Sequence, residues 1–246
     1  MSFTEIMYKG FLGYYLGETG TQSGLAFLMM SALGFLVVVL ASYLLGSCNF
    51  AIIISGKLFK EDIRTYGSGN AGMTNMLRTY GKRAAVYTLL GDSMKAVVSV
   101  ILGYVLLGNA GSFCAAFFCI LGHVFPVYYK FKGGKGVITA GIAILLTDPP
   151  VFLILFAVFL VIVIGTRYVS LGSIMAMLMY PLILERMRQP GIHVIFAILT
   201  AATVVFMHRS NIQRLRNKEE SKISFKSRSR SKADVNSPDR GEDEQD

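Results

Sequence analysis

The sequence predicts an all-α fold, a polytopic bundle of membrane-crossing helices. Three observations predict it. Only 16% of the 246 residues are charged and 53% are hydrophobic, whereas a soluble domain carries about 25% charged residues. The mean hydropathy is +0.54, and the apolar residues gather in runs long enough to span a bilayer. The basic residues collect between those runs, on alternate turns, as the positive-inside rule requires.

The elements follow in order. Residues 1–24 are mixed and rich in Gly and Thr; they are expected to form an extracytoplasmic arm, and without a short basic start they do not read as a cleavable signal. The membrane domain is expected over 25–217. Its first apolar run, about 25–54, exceeds the roughly 20 residues that cross a ~30 Å hydrocarbon core. Further runs lie at about 84–108, 111–129, 137–147, 150–166, 169–184 and 191–207. The runs 137–147 and 169–184 are short for a crossing, so five crossings are also possible, but seven are expected.

Charge sets the orientation. The segment 57–83 holds Lys57, Lys60, Arg64, Arg78, Lys82 and Arg83, the segment 130–136 holds Lys130, Lys132 and Lys135, and Arg167 follows. The turns at Asn109-Ala110 and Thr147-Asp148-Pro149-Pro150 carry no basic residue; only Arg186 and Arg188 lie on the wrong side. The N-terminus is therefore expected outside and the C-terminus in the cytoplasm, a parity that seven crossings satisfy. Residues 218–246 read as a disordered cytoplasmic tail, too polar to bury a core. The net charge of +9 is explained by topology and anionic lipid, so no nucleic-acid partner is expected. Cys48, Cys114 and Cys119 have no zinc spacing and read as small packing residues.

Three segments carry polar chemistry. The first is Gly67-Ser68-Gly69-Asn70-Ala71-Gly72-Met73-Thr74-Asn75-Met76-Leu77-Arg78. Its glycines allow close backbone approach, consecutive N–H groups can form an anion nest, a helix starting near Thr74 would add its positive end, and Arg78 can grip phosphate bidentately. The plain alternative is a flexible polar loop. The second runs from His123 through Lys132-Gly133-Gly134-Lys135-Gly136-Val137-Ile138-Thr139. It lacks the Walker spacing but sets lysines on a backbone able to fold round an anion; the alternative is a basic cytoplasmic turn. The third comprises Arg167-Tyr168-Val169-Ser170-Leu171-Gly172-Ser173 and His208-Arg209-Ser210-Asn211-Ile212-Gln213-Arg214. His208 and Asn211 are three apart and share a helix face, though His208 alone reads as part of an ordinary basic collar. All three segments fall on one predicted face, which suits a reaction between two phosphorylated molecules. Asp92 and Lys95, three apart inside an apolar run, read as an ion pair bracing the site.

At these residues the chain resembles the bacterial acyl-phosphate:glycerol-3-phosphate acyltransferase family, over about 40–220. The resemblance implies seven helices in a bacterial inner membrane, cytoplasmic motifs, no metal and no other cofactor. It implies that acyl phosphate and glycerol 3-phosphate are the substrates; the chain is expected to act as a monomer among membrane lipids. It assigns phosphate holding to Ser68, Arg78, Lys135, His208 and Asn211. Asn70, Gly72, Thr74 and Asn75 complete the first loop, Lys132, Gly133, Gly134, Gly136 and Thr139 the second segment, and Ser170 and Ser173 the third. Lys135, His208, Asn211 and Ser173 are the expected catalytic set. The chain departs from the family pattern at Asn49, Met73, Ala96, Lys218 and Glu219, none of which removes a polar site group.

The expected reaction is direct acyl transfer to the 1-hydroxyl of glycerol 3-phosphate, giving lysophosphatidic acid and phosphate. The chain has no nucleophile elbow, and neither His123, His193 nor His208 has an acid five residues on, as the His-x-x-x-x-Asp pair of thioester-using acyltransferases would need. Two rivals are a transporter of an anionic solute, which would favour midplane charges and paired repeats, and a lipid phosphotransferase, which would need several carboxylates for a metal. Neither signature is present in the motifs.

Overall fold

The computed structural model describes Gly10 and residues 25–222. Apart from Gly10 and residues 218–222, the expected arm and tail lie outside the described residues. Every regular element among those described is helical: α1 (Leu25–Ser47), α2 (Phe50–Ile54) with a π-helical turn (Ser55–Phe59), a 3-10 turn (Ile63–Thr65), α3 (Met73–Tyr80), α4 (Lys82–Val124), a second 3-10 turn (Val127–Tyr129), α5 (Val137–Thr147), α6 (Pro149–Thr166), α7 (Val169–Arg186), α8 (Gly191–Met207) and α9 (Arg209–Arg216).

The side-chain distribution is that of a chain solvated by lipid. Leu28, Leu33, Leu40, Leu90, Leu153, Val161, Ile164 and Leu182 face outward, whereas Ser42, Ser47, Thr88, Ser99, Ala96 and Ala115 are buried. Lipid tails are as apolar as leucine, so large side chains gain nothing by turning inward; small residues let helices approach, and hydroxyls bond to backbone. The segments 28–59, 82–129, 149–166 and 169–186 are each long and apolar enough to cross a membrane, and α8 with α9, bent by 56° between them, forms a fifth candidate span. The protein is a multi-pass membrane protein.

Helix α4 is a hairpin rather than one rod. Helical geometry breaks at Leu107 (φ −129°) and at Gly108 (φ 62°, ψ −152°), a conformation that suits only glycine. The two arms then run side by side so closely that a Cβ on Gly103 would strike the backbone of Gly111, and the reverse. The expected runs 84–108 and 111–129 are thus the two arms of this hairpin, with the reversal just ahead of Asn109-Ala110. Gly46 of α1 lies in the same way against the backbone of Cys119, and Gly122 against Tyr43.

Helix α5 is short, as the sequence suggested: 11 residues rise about 16 Å. Helix α6 starts from the same turn, where Asp148 caps Val151 N–H at 3.2 Å; its 18 residues rise about 27 Å. The difference leaves room at the end of the bundle where α5 begins. Helix α7 runs past its apolar stretch to Arg186, giving 18 residues. The chain reversals at 107–108 and 147–149 and the Asp148–Gln189 contact (3.0 Å) lie at one end of the bundle. The loops carrying the polar motifs lie at the other.

Candidate active site

The first loop is built by Asn75. Its Nδ2 donates to the carbonyls of Ile63 (3.2 Å) and Tyr66 (2.9 Å), and its Oδ1 accepts from Ser68 N–H at 2.9 Å. Asn75 is buried, so its amide is spent on shaping the loop. It was expected among the substrate-holding residues; it lines the cavity, and its amide also bonds the loop backbone. Gly67 and Gly69 take positive φ, and α3 begins at Met73, beside the position expected for a helix start. Asn75 and Met76 N–H donate to the Gly72 carbonyl at 3.0 and 3.1 Å, while those of Met73 and Thr74 come too early for an intrahelical acceptor.

The glycine segment is anchored to the end of α4. Gly134 N–H donates to His123 carbonyl and Gly133 N–H to Val124 carbonyl, each at 3.1 Å. A Cβ on either glycine would strike His123. Arg64 ties this segment to the first loop: Nη1 donates to the carbonyls of Tyr129 and Lys132, each at 3.0 Å, while Asp62 holds the guanidinium. Gly136, at φ 78°, then turns the chain into α5.

These elements enclose a cavity of about 510 Å³. Of the expected residues, Ser68, Asn70, Gly72, Thr74, Asn75, Arg78, Lys135, Gly136, Ser170, Ser173, His208 and Asn211 line it. Lys132, Gly133, Gly134 and Thr139 do not. Lys132 is exposed on the outer limb of the turn, because Lys130 and Phe131 adopt positive φ and reverse the chain. Gly133 and Gly134 pack behind the wall, and Thr139 is buried one turn into α5. The two glycines act by shape, since nothing larger fits there.

A hydrogen-bonded network crosses the cavity. Lys135 Nζ donates to Asn211 Oδ1. Asn211 Nδ2 donates to Glu220 Oε1 at 2.6 Å, Ser170 Oγ to the same oxygen at 2.7 Å, and Arg214 Nε to Glu220 Oε2 at 2.8 Å. Burial pulls the Glu220 carboxyl upward, but the hydrogen bonds from Arg214, Ser170 and Asn211 outweigh it and leave it below the usual glutamate range. Arg214, which closes the third polar segment but was given no role there, and Glu220, which was not expected at the site, both line the cavity. Glu220 fell beyond the expected domain boundary at 217, in a stretch of alternating charges that reads as tail; the structure carries the site past that boundary. The spacing Asn211-x-x-Arg214, which continues the His208–Asn211 face, was the available signal.

Lys135 loses solvation in the wall, and burial brings its ammonium down to about 8; Glu220 opposes the shift, while Arg214 and Arg78 add to it. His208 is buried, which holds its imidazole below the usual range despite its bond to Val204. That bond, 2.7 Å from Nδ1 to the Val204 carbonyl, fixes the tautomer, because a carbonyl can only accept. Nε2 is then an acceptor. Ser173 Oγ donates to Val169 carbonyl at 2.9 Å, so its proton is committed to its own helix. Arg78 makes no hydrogen bond or ion pair among the described residues and stands at the cavity's rim. Below lie Asp92 and His123, and the expected Asp92–Lys95 ion pair is present at 2.8 Å.

Lys135, Arg78 and Arg214 share one cavity with His208 at one end of a membrane helix bundle, which defines a membrane protein with a cationic pocket. The comparisons narrow that class. The family profile described as glycerol-3-phosphate acyltransferase matches residues 36–218. A glycerol-3-phosphate acyltransferase of Syntrophomonas wolfei is 44% identical over 188 residues, covering 75% of this chain and 94% of that one. One from Neisseria meningitidis is 41% identical over 194 residues, covering 76% and 96%. The crystal structure of PlsY, an integral membrane glycerol 3-phosphate acyltransferase, in its glycerol 3-phosphate form superposes with a TM-score of 0.73 at 36% identity, covering 77% of this chain and 96% of that chain. The lysophosphatidic acid form gives 0.70 at 34%. The chain belongs to the glycerol-3-phosphate acyltransferase family.

Proposed function

We propose that this protein transfers a fatty acyl group from acyl phosphate to the 1-hydroxyl of glycerol 3-phosphate. The observation that carries the proposal is the cavity itself: Lys135, Arg78 and Arg214 line it together with His208, whose Nδ1–Val204 bond leaves Nε2 as an acceptor. The hydroxyl oxygen attacks the carbonyl carbon of the mixed anhydride, the bond from that carbon to the phosphate oxygen breaks, and the hydroxyl proton leaves with the phosphate. The products are lysophosphatidic acid and inorganic phosphate. Ser68, Arg78 and Lys135 hold phosphate, while His208 and Asn211 orient the glycerol. Positioning two anions at van der Waals contact supplies much of the rate, since well-oriented partners react at effective molarities of roughly 10⁵ M or more.

The topology belongs to the same proposal. Counting each arm of α4 as a pass and α5 as a short one gives seven crossings, with the N-terminus outside. Both loops rich in Lys and Arg, 57–83 and 130–136, sit at the cavity end, which favours a cytoplasmic site in a bacterial inner membrane. Residues 25–217 with Glu220 form the catalytic domain, 1–24 an extracytoplasmic arm, and the remainder a cytoplasmic tail. The chain is taken to act as a monomer.

The test is a product assay with purified protein, labelled glycerol 3-phosphate and either acyl phosphate or acyl-CoA. Lysophosphatidic acid and phosphate are expected from acyl phosphate alone. Product from acyl-CoA, or none from either donor, would refute the donor assignment or the activity respectively.

A further inference from the structure

The floor of the cavity holds a buried ionic cluster that phosphate binding does not use. Lys95 is 4% exposed, Asp92 1% and His123 4%. The Lys95 ammonium donates to the carbonyls of Gly46 and Cys48, each at 3.0 Å, where α1 ends. It lies 2.8 Å from His123 Nδ1 and 2.8 Å from Asp92 Oδ1, the latter an ionic contact rather than an aligned hydrogen bond. Asp92 is 3.5 Å from the same imidazole nitrogen.

This arrangement fixes the histidine. An ammonium has protons to give and no lone pair, so at 2.8 Å His123 Nδ1 must accept from Lys95. The more distant Asp92 cannot claim a proton there; it is the counter-ion beside the Lys95 ammonium. The neutral imidazole therefore carries its proton on Nε2. Among the described residues Nε2 has no hydrogen-bond partner, His123 lines the cavity, and the ring edge lies against Gly134, one residue before Lys135, where a Cβ would collide with Nε2.

We propose that His123 is a catalytic residue whose Nε2–H donates a hydrogen bond to the carbonyl oxygen of the acyl donor as negative charge develops on it. This rests on the acyl-transfer reading above. While the bond from the glycerol oxygen to the carbonyl carbon forms and the bond from that carbon to phosphate breaks, the carbonyl oxygen carries the displaced electron pair. No proton is transferred to it. A donor held in place beforehand needs no reorganisation, which is why such groups stabilise the transition state more than the ground state. Lys95 and Asp92 are positioning residues, since they act only through the imidazole. The same contact gives Gly134 its purpose: any side chain there would push the donor away.

The test compares His123→Phe, His123→Gln and His123→Asn in the full-length protein, reading kcat, KM for both substrates, direct glycerol 3-phosphate binding and Tm. Removing one donor of this kind lowers kcat by roughly 100-fold or more. H123F should show that loss with glycerol 3-phosphate binding and Tm retained. Glutamine can place an N–H near the position of Nε2 whereas asparagine reaches only that of Nδ1, so H123Q should exceed H123N at least tenfold in kcat. If H123F keeps kcat within threefold, or loses glycerol 3-phosphate affinity in proportion to its rate, the donor role is wrong. If H123F does not fold, the glutamine–asparagine pair decides, and equal rates overturn the proposal. A parent protein that forms no lysophosphatidic acid would instead sink the acyl-transfer reading.

Discussion

At the scale of single residues, charge and burial work against each other around Lys135, and the pH dependence follows. Its ammonium, brought down to about 8 by burial, is cationic below that pH and neutral above it. KM for glycerol 3-phosphate should therefore rise as pH passes about 8 in initial-rate assays, and Lys135→Arg, which stays charged, should flatten that rise even if its rate is lower. Lys135→Ala should cut kcat/KM by about 100-fold or more, from the loss of a charge-assisted contact to each transferring group. His208 has a lowered affinity for protons, so it is neutral at pH 7 and charges only in acid. Activity should fall on the acid side as Nε2 ceases to accept, and His208→Ala should lose that acid limb. Glu220 has a depressed folded value; its contribution to stability is full at neutral pH and fades as pH falls through that folded value. Glu220→Gln should flatten the acid decline of Tm and raise KM, because Arg214 and Lys135 lose their common counter-ion. That Ser68, Arg78, Lys135 and His208 gather at one cavity was legible in the sequence because polar residues between apolar runs need a reason. Glu220 was not, since one acid among tail charges has no local signature. Asn75 was legible as important but not in its role: an amide that staples a loop and one that binds a ligand look alike until the partners are seen.

At the scale of elements, hydrophobic length predicted the helices and glycine decides how they meet. The α4 hairpin depends on Gly103 facing Gly111. Gly103→Leu should destabilise the protein by about 1–3 kcal/mol through overpacking, read as a lower Tm in detergent, while KM for the protein that remains folded stays unchanged. The sequence marked both arms as apolar runs but could not show that they lie in glycine-to-glycine contact, because that contact joins residues through backbone atoms rather than through a side-chain pattern. The short α5 was legible as a length anomaly. Its consequence, the space in which Lys135 and Gly136 meet the first loop, emerged only when α6 was seen to start from the same turn and run further.

At the scale of the molecule, one end of a lipid-solvated bundle gathers three segments that are distant in sequence, and the inference that they share a face rested on charge asymmetry alone. In the structure Arg64 reaches Lys132 and Lys135 reaches Asn211, so the segments do meet. Cysteines placed at Tyr66, Lys132 and Arg209 should all label from the cytoplasmic side of intact cells only after permeabilisation, whereas one at Gln189 should label without it. The central claim is that this end brings an acyl carbonyl and a glycerol hydroxyl together for direct attack at carbon. Glycerol 3-phosphate carrying ¹⁸O in its 1-hydroxyl, incubated with acyl phosphate and the purified protein, tests it by mass spectrometry of the products. Lysophosphatidic acid with the label in its ester oxygen and unlabelled inorganic phosphate is the predicted result. Free fatty acid with a doubly phosphorylated glycerol, which would place the attack at phosphorus, would contradict it.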